Sequence, residues 1–246
     1  MTAGAVPGRP VPPDRPDGTV VPATLVRHLE LSVGGWPPAR PVRIVANPRR
    51  ALPGWDGEVA PVVGVVTDTG DAVLGLAPDD TARVSAWLAD RPSADLDALL
   101  AAVPGLIGRE GVAGRGVFRW SSDPAPLPDA GLWIPADDPR VPPWLRPFGG
   151  EVLVVLDGDT YVAGVGVKRH DGFGRELSVG TQPQARGRGL ARRLVAQAAR
   201  RVLAEGAVPT YLHAPDNVGS ARVATAAGFP DVGWQVLGFF PRTVSS

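Results

Sequence analysis

The chain has 246 residues, 44% of them hydrophobic and 20% charged, with 25 basic residues balanced by 25 acidic ones. That length suits two small domains, and the neutral balance argues against wholesale attraction to nucleic acid or to an anionic membrane. No cysteine occurs, which excludes disulfide scaffolding, zinc–thiolate sites and a cysteine nucleophile, and fits a cytoplasmic protein.

Residues 1–23 carry Pro7, Pro10, Pro12, Pro13 and Pro16. Prolines at this density block helix formation and remove backbone donors, so a disordered leader is expected. The stretch lacks the apolar core of a signal peptide, and no run of the chain approaches the roughly 18 apolar residues of a membrane helix.

Residues 24–122 read as an N-terminal α/β domain. Thr24–Leu31 is compatible with a strand or a short helix. Val62–Val66 and Ala72–Leu76 flank the turn signal Asp68-Thr69-Gly70-Asp71, giving strand, turn and strand. Asp79 and Asp80 precede the apolar-periodic stretch Ala82–Leu88, where acidic residues suit a helix N-terminus. Leu96, Leu99, Leu100 and Val103 have helical spacing within Ser93–Leu106, and Val117–Trp120 reads as a strand. Residues 123–150 form a connector punctuated by proline, but Trp133, Trp144 and Phe148 need burial, so it is expected to be ordered and packed. Trp133 and Trp144 are candidates for core packing or for the wall of an acceptor pocket.

From 151 to 246 the signals sharpen. Val152–Leu156, Tyr161–Val167 and Glu176–Thr181 are separated by the turn signals Asp157-Gly158-Asp159 and Asp171-Gly172-Phe173-Gly174, predicting an antiparallel meander. A helix over 187–205 carries Leu190, Leu194, Val195, Ala198 and Val202 on one stripe and stops at Gly206. Pro209–His213 returns as the parallel strand of a β-α-β unit. Asn217 or Ser220 caps a short helix ending at Gly228, and Trp234–Phe240 is a last strand.

The segment Gln184-Ala185-Arg186-Gly187-Arg188-Gly189 lies between a strand and a helix. A helix N-terminus presents unpaired N–H groups and partial positive charge, and glycines let an anion approach the backbone. Between Asp171 and Gly206 there are seven arginines against three carboxylates, a local charge of +4 in a neutral chain. A phosphate or pyrophosphate is the ligand best suited; two glycines making an ordinary turn beside a solvated helix face are the plain alternative. No Gly-Lys-Ser/Thr follows, which excludes a Walker loop, and the preceding meander disfavours a dinucleotide fingerprint.

Val179-Gly180-Thr181-Gln182-Pro183-Gln184-Ala185-Arg186-Gly187-Arg188-Gly189-Leu190-Ala191 resembles the cofactor motif of the GNAT (N-acetyltransferase) superfamily. Asn217-x-x-Ser220, closing with Gly228-Phe229, resembles its second motif, and Asn217 follows Gln184 of the Gln-x-x-Gly-x-Gly pattern by 33 residues. The resemblance covers residues 150–240 and implies a mixed, mainly antiparallel α/β sheet flanked by helices. The N-terminal region would then be a degenerate copy of that fold or a separate substrate-recognition domain.

The resemblance also implies acetyl-CoA as co-substrate, with pantetheine along the backbone of Val179, Gly180 and Thr181. Pyrophosphate would lie on the segment Gln184, Ala185, Arg186, Gly187, Arg188, Gly189 and Leu190, with Asn217 and Ser220 on the pantetheine or adenosine side. The reaction it implies is direct attack by a primary amine of a small molecule or peptide on the thioester. That chemistry needs a base, a donor to the thioester oxygen and an acid for the thiolate. Glu176 and His213 are candidate bases and His170 a weaker one. Tyr211 is a candidate acid, because Ala224 stands where the family often has its tyrosine. No metal, nucleic-acid or membrane partner is expected, and the chain is expected to be a monomer or homodimer. A non-catalytic acyl-CoA-binding regulatory module is the alternative, motivated by Ala224.

Overall fold

The computed structural model describes residues 21–40 and 42–240. The expected leader 1–23 therefore lies almost wholly outside the described residues, and Ala23 already begins the first helix.

Helix α1 (Ala23–Val33) settles the ambiguity at Thr24–Leu31 in favour of helix. Its buried residues Leu25, His28, Leu29 and Val33 recur at helical spacing, and Gly34, at φ +88°, ends it. A short strand β1 (Arg43–Ala46) follows. Strands β2 (Val62–Val66) and β3 (Ala72–Leu76) form the predicted hairpin. Both strands are buried on two faces, which explains their nearly unbroken apolar runs. Helix α2 (Pro78–Ala89) opens with Pro78 and carries Asp79 and Asp80 in its first turn. Helix α3 (Leu96–Leu106) is capped by Asp95, whose carboxylate accepts from the Ala98 N–H at 2.8 Å.

Strand β4 (Val112–Trp120) leads into the connector, which contains a further strand, β5 (Leu132–Pro135). The meander is β6 (Glu151–Asp157), β7 (Thr160–Lys168) and β8 (Gly174–Thr181). Then come α4 (Leu190–Ala204), β9 (Val208–His213), α5 (Val218–Ala226) and β10 (Gln235–Phe240).

The ten strands of the described residues join one sheet in the order β1-β3-β2-β10-β4-β9-β8-β7-β6-β5. Only β1/β3 and β8/β9 pair in parallel, so the sheet is mixed and mainly antiparallel, as expected. Strand β10, from the C-terminal region, is inserted between β2 and β4 of the N-terminal region and pairs antiparallel with both, and β4 in turn pairs with β9, so the two regions share one sheet.

Alternating residues feed opposite layers. Val62, Val66, Leu74, Leu76 and Leu237 pack with α2 and α3, whereas Val65 and Val73 pack with α1. Farther along the sheet, Val165, Val167 and Leu177 pack under α4 together with Tyr211 and Phe229. The connector covers the opposite face there, with Val141 and Leu145 against Val152 and Val154. Helix α4 also ties the connector down. Its Gln197 bonds the backbone of Ala130 and Gly131, and Arg193 and Arg200 donate to connector carbonyls from Ala125 to Asp129.

Candidate functional site

The site begins where two parallel strands separate. Strand β8 pairs with β9 only from Gly174/Val208 to Glu176/Thr210. Beyond that, β8 keeps its partner β7 through Thr181, while β9 turns to β4. The result is a wedge with one open edge on Ser178–Thr181, and Tyr211 is the first residue of β9 past the last pair. The wedge opens into a cleft of about 980 Å³. One wall is Val179, Gly180 and Thr181; another runs from Ala185 through Leu190; the third is α5, with Asn217 and Ser220 at its start. Of the cofactor residues expected from sequence, the structure gathers all but one here. Gln184 is exposed and does not line the cleft.

The chemistry of the cleft suits a large anionic ligand. Gly187 and Gly189 have φ of +76° and +74°, a left-handed conformation that other residues adopt at a cost, so the bend is specific to glycine. Gly189 immediately precedes α4 and no side chain caps that helix, which leaves its first N–H groups facing the cleft. Arg186, Arg188, Arg192 and Arg222 line the cleft, and none of their guanidinium groups has an acidic partner among the described residues. The other arginines of the basic stretch are engaged elsewhere: Arg193 and Arg200 on the connector, Arg201 on Glu151 and Glu205, and Arg175 on backbone carbonyls. Thr181 contributes a buried hydroxyl oxygen with no hydrogen-bond partner, a group that a ligand in the wedge would satisfy.

Tyr211 is 2% exposed, yet it lines both the cleft and a second, smaller cavity. Its hydroxyl lies 2.8 Å from Ser220 Oγ. Burial pushes its pKa up, against smaller opposing effects of Ser220 and of the charge on Arg119, so it stays protonated and available as a donor. Ala224 faces the core at 0% exposure; α5 turns Ser220, Arg222, Val223 and Ala226 to the cleft, with no tyrosine among them. Asn217 caps α5 through its side-chain oxygen, which accepts from the Ser220 N–H at 2.9 Å.

The two candidate bases have other engagements. Burial alone would raise the pKa of Glu176, but the hydrogen bond with His170 (3.2 Å) and the charge of Lys168 (2.5 Å) override it and hold it at about 2. A carboxylate that acidic is a poor proton acceptor. His213 accepts from Arg119 Nε at 3.1 Å, and its Nδ1 lies 2.9 Å from the Ala214 carbonyl, which can only accept. Both ring nitrogens are thus satisfied in one neutral tautomer, and His213 lines neither cavity. His170 is occupied by Glu176.

Sequence reasoning overlooked Arg119. It is buried on β4 and donates to His213, to Thr225 Oγ1 (2.9 Å), to the Phe229 carbonyl (3.2 Å) and to Asp231 (3.0 Å). One guanidinium therefore joins β4 and β9 to the C-terminal end of the second motif. It also overlooked Arg222, two residues past Ser220, whose place on the cleft depends on the direction of α5. Among the described residues no group of three or more metal-ligating side chains is assembled, and no helix is long and apolar enough to cross a membrane.

The second cavity, of about 390 Å³, lies on the connector side of the wedge, bounded by Trp55, Trp144 and Phe148. Trp144 is 39% exposed. Trp133 is elsewhere, on β5, with the Arg201 guanidinium 4.1 Å from its ring centroid.

A splayed parallel strand pair running through a glycine bend into an uncapped helix defines an α/β domain whose cleft suits an anionic, extended ligand. Residues 115–229, a little under half of the chain, match the model of the acetyltransferase (GNAT) family. Solved structures resemble the chain at low identity. One is described as an acetyltransferase of the GNAT family from Novosphingobium aromaticivorans, with 23% identity and a TM-score of 0.44, the match covering 54% of this chain and 66% of that one, just under two thirds of its length. Another is a GNAT-family acetyltransferase from Colwellia psychrerythraea (13% identity, TM-score 0.45, covering 76% of this chain and 83% of that one). A third is an N-acetyltransferase-like protein from Streptococcus suis (18%, 0.44, covering 63% and 75%). No curated protein matches the chain. The assignment rests on the family model.

Proposed function

We propose that the chain transfers an acetyl group from acetyl-CoA to a primary amine. The observation that carries this reading is the cleft at the split of β8 and β9, where four arginines without an acidic partner among the described residues lie with the uncapped N-terminus of α4. The residues present fit the donor. Arg186, Arg188, Arg192 and Arg222 would hold its phosphates together with the α4 amides, and the open edge of β8 and the unpaired Thr181 hydroxyl would hold the pantetheine arm.

Acetyl-CoA supplies the acyl group: the amine nitrogen bonds to the thioester carbon, the carbon–sulfur bond breaks, and one N–H proton is lost as the thiolate gains one. The protein's part is mostly positional. Tyr211, steadied by Ser220, is the proton donor nearest the meeting point of the two cavities, and takes the place of the tyrosine that Ala224 lacks. Among the described residues no carboxylate or imidazole lines either cavity, so the amine enters as its free base and gives its proton to water.

The test pairs binding with turnover. Acetyl-CoA should stabilise the chain against heat, and thiol should appear when amines are added. Arg192→Ala and Arg222→Ala should each weaken acetyl-CoA binding about fivefold, about 1 kcal/mol for a charge-assisted surface contact, with a smaller loss at high salt. Binding that ignores both substitutions would overturn the donor site. Tight binding with no thiol release from any amine would favour the non-catalytic acyl-CoA-binding module.

A further inference from the structure

The second cavity meets the cleft at Val179, Tyr211 and Ser220, so whatever fills it touches the place where transfer would occur. We infer that this cavity receives the acceptor, a primary amine carried on an aromatic or comparably bulky apolar body, and that Trp55 sets its specificity. The inference rests on the acetyl-transfer reading above.

The walls are aromatic and fixed in advance. Trp55 stacks on Phe148 with centroids 5.0 Å apart, and Trp144 meets Phe148 edge-on at 6.1 Å. Both connector rings lie directly on glycines of the sheet. A Cβ at Gly166 would come within 2.4 Å of the Phe148 ring, and one at Gly180 within 2.7 Å of Trp144. The rings thus have a floor that permits this position, and they leave aromatic surface facing the cavity, including the part-exposed indole of Trp144. Covering such surface with an apolar body is favourable, and a preformed wall loses little freedom on binding.

The charges exclude the other common class of acceptor. No carboxylate lines the cavity; its polar side chains are Ser178, Tyr211 and Ser220. The nearby Glu176 is already matched by Lys168 and His170, and the Lys168 ammonium stands 5.6 Å from the Trp55 ring centroid. A polyamine or lysine-rich segment would bring several cations into surroundings with no free counter-charge and four arginines next door. An amine on an aromatic body brings one nitrogen, and brings it to the Tyr211–Ser220 end. Trp55 lies on the turn between Pro53 and Val59, closed by the Gly54 N–H to the Glu58 carbonyl at 2.7 Å. The N-terminal region therefore contributes to acceptor choice.

The full chain with saturating acetyl-CoA should be assayed for thiol release with phenethylamine, tryptamine, a peptide beginning with phenylalanine, spermidine and lysine amide. The aromatic acceptors should exceed spermidine and lysine amide in kcat/KM by at least about tenfold, and the peptide against phenethylamine separates a peptide N-terminus from a free amine. Trp55→Ala should raise KM for aromatic acceptors several-fold with kcat and acetyl-CoA affinity unchanged, and Trp55→Phe should restore it. Phenethylamine, but not spermidine, should quench tryptophan fluorescence without acetyl-CoA, and Trp55→Ala should remove the quenching. Equal or better turnover of spermidine, or a KM and quenching that ignore Trp55→Ala in a folded protein, would overturn the inference. Aromatic quenching without any thiol release would leave the pocket standing and overturn the transfer reading alone.

Discussion

Tyr211 owes its position to where pairing stops. Its backbone is held against Arg119 of β4, its ring is buried beside Phe229, and it lines both cavities. Tyr211→Phe removes the donor and keeps the ring. Steady-state kinetics should show kcat lower by about 100-fold, the usual scale of a positioned acid, with acetyl-CoA affinity nearly unchanged. An unchanged kcat would mean that water protonates the thiolate unaided. Glu176 carries a different expectation. Its pKa is depressed from 4.5 to about 2, so its ion pairs add stability above about pH 4.5, and that stability drains away as pH falls toward 2. Wild type should lose thermal stability more steeply in acid than Glu176→Gln; parallel curves would contradict this. The same low pKa keeps Glu176 out of the rate profile near neutrality, where kcat/KM should rise with the free-base fraction of the amine.

At the scale of elements, much of the local structure was legible and the reasons are local. The β2–β3 hairpin announced itself through its Asp-Thr-Gly-Asp turn, and α4 through its apolar stripe and its glycine flanks. Strand β1 was missed because Arg43–Ala46 has only four residues and no alternation, and β5 because Leu132–Pro135 sits among prolines and pairs with β6 only through the fold. The arginines divided by tertiary contact rather than by sequence: Arg192 and Arg193 are adjacent, yet one faces the cleft and the other holds the connector. Arg119 gave no signal at all, because a single arginine in a strand is ordinarily on the surface. Its removal is a clear test of element-level coupling. Arg119→Met should cost about 3 kcal/mol or more in unfolding experiments, since Asp231, His213 and the Phe229 carbonyl lose a shared buried donor. It should also weaken acetyl-CoA binding by loosening α5, whereas Arg193→Met should do neither to the same degree.

At the scale of the whole molecule, the sheet order was beyond the sequence. The division at 122 and 150 follows changes in composition, but the partners of a strand far along the chain leave no trace in composition: β10, from beyond residue 150, pairs with β2 and β4, which both precede residue 122. Deleting residues 235–246 should leave β2 and β4 with unpaired edges facing each other across a gap. Size-exclusion chromatography should find this truncated chain largely aggregated, as open edges predict; a monomeric, cooperatively melting product would show that the two parts stand alone. The same strand imposes an order on biosynthesis. On the ribosome, β1 to β9 emerge before the piece that joins them, so the β1-β3-β2 group and the group running from β4 to β5 each wait with an exposed margin until β10 has cleared the exit tunnel. The chain thus completes its sheet only at the end of translation of this region, and its yield should depend on slow synthesis and chaperone protection more than on the strength of either half.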